Sequence, residues 1–521
     1  MNTRKLTSIV LMSLTLICVH AQTPTLSPPP AVPGPQPPLY TPPSAAPAGK
    51  PQKLTIAQGT LRGVVADGVT WFLGIPYAPP PVGRLRWLPP GAPPIWSGER
   101  DASKAGPVCP AQEDCLYLNV LRPASAHAGQ KLPVMVWIHG GAFLGGTSMG
   151  GYGGDTDGHE FANKGIVAVS VNYRLGFAGY FSHPALDHEG HLHSNYGAMD
   201  QIAALKWVKA NIASFGGDPG NVTLYGESAG GFGVLLLMVS PEAQGLFNKI
   251  IAESSFARAR AVPLAIAEAN GLKQAEQAGV KGEDATAAAA LRALPISAFP
   301  IIRNRPDGFR PYPVLDGQVF PTQVMAAFRA GTEAKVPLII GGNSNEASLT
   351  HPGVAMLDAM PPEKRAAILK TFDPQGSVGQ DHDQEQAIND FITVQGVTEP
   401  DRAIARLHTK NGEPTWTYFF SDVPDGLKNV RLHGAAHTEE LPFVFISPTQ
   451  VFGPKDLKLA RAVNAYWASF AGAGDPDSAG GVLWPRWSED EGQIEFTAEG
   501  PRERTHFMKE QRDLVEGFAG K

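Results

Sequence analysis

Cysteine is scarce in this chain: three among 521 residues, at positions 18, 109 and 115. That excludes a disulfide-stapled scaffold and a cysteine-rich zinc fold. Charge is sparse too, at 18% of residues, and no block of lysine or arginine interrupts it. Nucleic acid or an anionic membrane surface would need such a block, so neither is expected as a partner. There is no phosphate loop and no dinucleotide fingerprint, and no cofactor is inferred. No internal repeat appears.

What is present is apolar. Hydrophobic residues make up 43% of the chain, enough for one large core. The net charge is -6 and becomes -8 once Arg4 and Lys5 leave with the leader described next. Those two residues open the chain, an apolar run follows over 6–19, and Val19-His20-Ala21 puts small residues at a cleavage position. The run is short for a membrane span. The pattern predicts a secretory signal peptide over 1–21 and a secreted or periplasmic mature chain. An uncleaved anchor is the other reading. Lipidation at Cys18 fits poorly, because Thr15 and Ile17 are wrong for the segment before a lipidated cysteine. Cys109 and Cys115 then remain, and an even pair in an exported chain favours a disulfide.

Residues 22–52 are rich in proline, with Pro28-Pro29-Pro30, Pro37-Pro38 and Pro42-Pro43. Proline fixes φ and removes a donor, so an extended linker is expected there. From 53 to 521 one catalytic domain is expected. Short apolar runs at 134–138, 166–171, 222–225, 249–252, 336–340 and 415–420 read as buried strands. Helical periodicity separates them, as over 196–212, and the stretches 264–294 and 355–408 look helical. Alternation of this kind predicts an α/β fold, a mostly parallel sheet wrapped by helices.

The strongest local signal is Gly226-Glu227-Ser228-Ala229-Gly230, after a strand and before the helical run 231–239. A nucleophile elbow requires that context, because small neighbours permit the sharp turn that lifts the serine hydroxyl out of the sheet. His139-Gly140-Gly141-Ala142-Phe143 follows the strand at 134–138. A turn of that composition can aim backbone N–H groups at one point, opposite the N–H of Ala229, and so hold an oxyanion. A serine nucleophile needs a base and an orienting carboxylate, in the chain order Ser, acid, His. Glu346 lies in the turn after the strand at 336–340, and Asp316 is its rival. His433 and His437 are the two late histidines on offer.

These motifs resemble the type-B carboxylesterase family, which includes the cholinesterases. The resemblance runs from Leu54 to the C-terminus. It is carried also by Phe72-Leu73-Gly74-Ile75-Pro76-Tyr77-Ala78, by Glu113-Asp114-Cys115-Leu116-Tyr117-Leu118-Asn119-Val120, and by Asn195-Tyr196-Gly197 with Asp200-Gln201. It implies an α/β-hydrolase fold and hydrolysis of a small-molecule carboxylic ester through an acyl-enzyme. The implied triad is Ser228, Glu346 and His437, with oxyanion donors at Gly141, Ala142 and Ala229 and a family disulfide at Cys109–Cys115. Ser254 matches a serine that supports the site. His437 is favoured over His433 because Glu440 and Phe443-Val444-Phe445 stand at the family's offsets from it. Ala142 replaces a glycine found in many relatives, and its methyl group should narrow the space beside the oxyanion hole.

Other functions compete with this one. A non-catalytic adhesion protein on this scaffold would typically lack a triad residue. Amides, lactones and specialised natural-product esters are alternative substrates for the same chemistry. His183, His188, His191 and His193 cluster in sequence, but the resembling family has a variable surface loop there, and no metal is expected.

Overall fold

A computed structural model describes residues 45–109, 111–151, 154–301, 310–374, 381–447 and 452–519. The leader and most of the proline-rich segment lie outside the described residues. The last three residues of that segment belong to a strand, because β1 is Lys50–Ile56.

Three strands follow in antiparallel order: β2 (Gly59–Ala66), β3 (Val69–Pro76) and β4 (Tyr117–Pro123). Asp67 and Gly68, both at positive φ, form the two-residue turn between β2 and β3, the local signature of a tight hairpin. Seven parallel strands come next: β5 (Leu132–Ile138), β6 (Val167–Val171), β7 (Gly217–Glu227), β8 (Lys249–Glu253), β9 (Leu338–Asn343), β10 (Thr415–Phe420) and β11 (Gln493–Thr497). Antiparallel β12 (Gly500–Arg504) closes the far edge. The spatial order is β1-β2-β3-β4-β6-β5-β7-β8-β9-β10-β11-β12. Asp218-Pro219-Gly220 lies within β7, where the pairing with β5 slips between Gly217 and Val222.

The parallel strands read as continuous apolar runs because both of their faces are buried. Val134, Val136 and Ile138 of β5 pack on one side, with α1 (Tyr196–Asn211) and α2 (Ala229–Met238). Met135 and Trp137 point to the other, where Tyr466, Trp467 and Phe470 of a later helix, Pro454–Ala473, cover them. The expected helical stretches hold α3 (Leu264–Gln277), α4 (Ala285–Ala293), α5 (Pro362–Phe372), α6 (Asp381–Thr393) and α7 (Glu399–Lys410). The Pro454–Ala473 helix is α8, and Lys509–Ala519 forms α9. Cys109 and Cys115 are joined in a buried disulfide, their Cα atoms 5.5 Å apart.

The topology sets the site. From β5 the chain moves to β6 on one side, then returns to β7 on the other. The carboxyl ends of β5 and β7 therefore flank a topological switch point, where open α/β sheets bind ligands.

Candidate active site

Ser228 sits between the last residue of β7 and the first of α2 with φ 57 and ψ −122. That region is unfavourable for a residue with a Cβ, by roughly 1–3 kcal/mol. The turn is held by the Ser228 N–H, which donates to the Glu253 carbonyl at the end of β8 (2.9 Å). It also depends on glycine: a Cβ on Gly230 would stand 2.0 Å from the Ile138 carbonyl oxygen. The spacing of small residues around the serine is thus a consequence of the elbow pressing on the end of β5.

At that end of β5, Gly141, Ala142 and Phe143 all have positive φ. The N–H groups of Leu144 and Gly145 fold back onto the Gly141 carbonyl. Tyr173 donates to the His139 carbonyl (2.7 Å), and the Phe143 carbonyl accepts from the Gly176 N–H (2.7 Å). His139 stacks on Tyr173, and burial lowers its imidazole to about 4, so it is neutral at physiological pH. The loop is therefore fixed from outside. Among the described residues no acceptor faces the N–H of Gly141 or Ala142. The N–H of Ala229, first in α2, is an orphan donor by helix geometry.

Glu346 follows β9 and is 2% exposed. Its Oε1 accepts from the Ser254 hydroxyl (2.6 Å) and the Asn343 N–H (2.7 Å), and its Oε2 lies 2.5 Å from His437 Nδ1. The loops carrying acid and histidine are zipped together. Asn345 N–H donates to the Ala435 carbonyl, Ala435 N–H to the Ser344 hydroxyl, and His437 N–H to the Ser348 hydroxyl. With Nδ1 committed to Glu346, Nε2 is the nitrogen left for proton transfer.

The structure brings Glu346 and His437 into direct contact and puts Glu227, the neighbour of Ser228, beside the same ring. Glu227 Oε1 is 3.0 Å from His437 Nε2, without hydrogen-bond alignment. The two rivals lie elsewhere. Asp316 receives the Gln318 and Phe320 N–H groups and the Asn195 amide, the work of a turn cap. His433 bonds to Gln386 on α6. In the histidine-rich loop, His191 pairs with Glu189 and His193 with Asp187.

Sequence reading missed the acidic layer beneath the site. Glu227 occupies the variable position of the elbow motif. Glu440 had served only as a spacing marker, yet its carboxylate bonds to Asn343. Glu253 is fully buried and takes the Trp467 indole N–H (3.0 Å). Burial pushes Glu227 and Glu253 well above the usual carboxylate range. Burial, with Glu346 nearby, lifts Glu440 to about 7. For His437, burial pulls the imidazole down, but Glu227, Glu346 and Glu440 outweigh it and raise it to about 9.

Comparison with known proteins agrees over almost the whole described chain. A model described as "Carboxylesterase family" matches residues 50–514. The chain is 36% identical over 482 residues to a fumonisin B1 esterase of Sphingopyxis macrogoltabida, covering 84% of each. It is 36% identical over 481 residues to an acylcarnitine hydrolase of Mus musculus, covering 82% of this chain and 83% of the relative. Among solved structures, the Geobacillus stearothermophilus carboxylesterase EST55 superposes with a TM-score of 0.75 at 31% identity, over 89% of this chain and 99% of that one.

Proposed function

The chain belongs to the carboxylesterase family and hydrolyses carboxylic esters, and from that premise we propose that Ser228, His437 and Glu346 carry the reaction. The observation that supports this most is the 2.5 Å contact between Glu346 Oε2 and His437 Nδ1, with Glu227, the residue before Ser228, 3.0 Å from the other ring nitrogen. His437 Nε2 takes the hydroxyl proton as Ser228 Oγ attacks the ester carbonyl. The N–H groups of Gly141, Ala142 and Ala229 hold the oxyanion. The imidazolium then gives its proton to the leaving alcohol. Water, deprotonated by the same nitrogen, releases the acid and restores Ser228. Glu346 fixes the tautomer and balances the imidazolium charge.

The test is Ser228→Ala. Turnover of p-nitrophenyl esters should fall by ~10⁴-fold or more, with the fold intact by circular dichroism. A phosphonate ester should add its mass to the Ser228 peptide of the parent and not of the variant. Near-parental turnover by the variant refutes the assignment.

No helix of the described residues is long and apolar enough to cross a membrane. We also propose export, with a mature chain that begins at Gln22 after a proline-rich spacer. The charged start and apolar run support it, and N-terminal sequencing of the mature protein tests it.

A further inference from the structure

The segment that leaves β8 touches both partners of the acid–base pair. Ser254 and Phe256 both have positive φ, 46 and 49. Ser254 bonds to Glu346 (2.6 Å). Phe256, two residues on, lays its half-buried ring 5.6 Å from the His437 ring, centroid to centroid, at an interplanar angle of 56°. An aromatic residue held at positive φ beside a reacting group is an expense that a fold keeps only where the surroundings enforce it.

Two features enforce it here. Arg258 forms a two-pronged ion pair with the fully buried Glu399 on α7 (2.6 and 2.5 Å), which anchors the far end of the segment. Beside the ring stands Gly396, in the π-helical turn Val394–Thr398 that joins α6 to α7. A Cβ on Gly396 would come within 3.3 Å of the Phe256 ring. The glycine thus leaves the space in which the ring rests.

We propose that Phe256 is a positioning residue for His437: it holds the imidazole against Glu346 and favours the imidazolium formed in the transition state. This rests on the reading of His437 as the base. An aromatic ring attracts a cation within about 6 Å of its centroid, and a neutral imidazole gains far less. The contact is therefore stronger in the transition state than in the active form of the enzyme, whose imidazole is neutral, the condition for raising kcat. The acidic groups facing His437 are Glu227, Glu346 and Glu440. Glu253 and Arg258 flank Phe256 in sequence, and Asp401 lies nearby on α7. None of these is altered in the variants below.

The experiment compares Phe256→Leu, Phe256→Tyr and Gly396→Val in the full chain, with rates normalised to sites counted by phosphonate labelling, so that misfolded material does not enter. Phe256→Leu keeps apolar bulk and removes the ring. It should lower kcat by roughly 3–10-fold and move the acid limb of kcat/KM down by about half a pH unit. Phe256→Tyr should retain kcat within about twofold. Gly396→Val should displace the ring and reproduce the Phe256→Leu profile. An unmoved acid limb in Phe256→Leu, or equal losses in the Leu and Tyr variants, overturns the proposal and leaves packing alone. His437→Ala, run alongside, separates the two readings: if it stays active, the assignment of the base has failed, not the role of Phe256.

Discussion

Glu227 Oε1 lies 3.0 Å from His437 Nε2, so the residue before Ser228 on the elbow reaches the imidazole that Glu346 holds from its other nitrogen. The nitrogen proposed as the proton acceptor thus has a buried carboxyl beside it. That arrangement determines how activity responds to pH.

The histidine must be neutral to take the serine proton, so activity falls as pH drops through its pKa. Burial lowers that pKa, but Glu227, Glu346 and Glu440 together raise it to about 9. The acid limb of kcat/KM should therefore lie above the pH typical of an unperturbed histidine. Glu227→Gln removes one raising charge and keeps the shape, so the limb should move to lower pH, by about one unit. A pH–rate profile of both proteins checks this. An upward shift, or none, would show that Glu227 does not interact with the base as a charge.

His437→Ala and His433→Ala should separate by orders of magnitude. His437 is held by Glu346 and by the Ser348 hydroxyl, whereas His433 bonds to Gln386 outside the triad. The first variant should lose at least about 10³-fold in kcat, and the second should stay within about threefold of the parent on steady-state kinetics.

Much of this was legible in the sequence, for reasons that also explain the rest. Strands at 134–138 and 415–420 could be read because both faces are buried and the apolar run is unbroken. The elbow could be read because Gly230 has no room for a Cβ. The antiparallel start was not read, although Asp67-Gly68 is a hairpin dipeptide, because β2 and β3 carry no clean alternation: β3 is buried on every residue. The acidic layer was missed for a different reason. Glu227 and Glu253 end neighbouring strands while Glu440 precedes a short helix far along the chain, and their shared burial arises only from the tertiary fold. Asn343 and Phe256 likewise gain their meaning only from what the fold sets beside them.

Ser254→Ala tests the support of the acid. Glu346 is buried, and Oε1 would keep only the Asn343 N–H as donor. Losing a hydrogen bond to a buried charge costs roughly 1.5–3 kcal/mol. Part should appear as a lower midpoint in urea unfolding, part as a drop in kcat of about tenfold, with KM little changed. A rise in KM alone, with kcat intact, would place Ser254 on the substrate side instead.

The acidic layer should also leave a signature in stability. Glu253 is fully buried, its Oε1 takes the Trp467 N–H, and its Oε2 has no hydrogen-bond partner among the described residues. Burial, with Glu440 and Glu227 adding to it, raises its pKa well above the ordinary value. The sign then follows from proton counting. Between the unfolded pKa and the raised folded one, the native protein holds a proton that the unfolded chain has released. Stability therefore falls as pH rises through that window, by up to about 1.4 kcal/mol per pH unit for one such group. Below the unfolded pKa both states are protonated and the penalty vanishes. Glu253→Gln keeps the shape and the acceptor for Trp467 but cannot ionise. Its unfolding free energy should match the parent near pH 4 and exceed it increasingly towards pH 8, in urea titrations run at each pH. A difference that stays constant with pH would mean that Glu253 titrates alike in both states, and that its burial is relieved by a group not yet recognised as its partner.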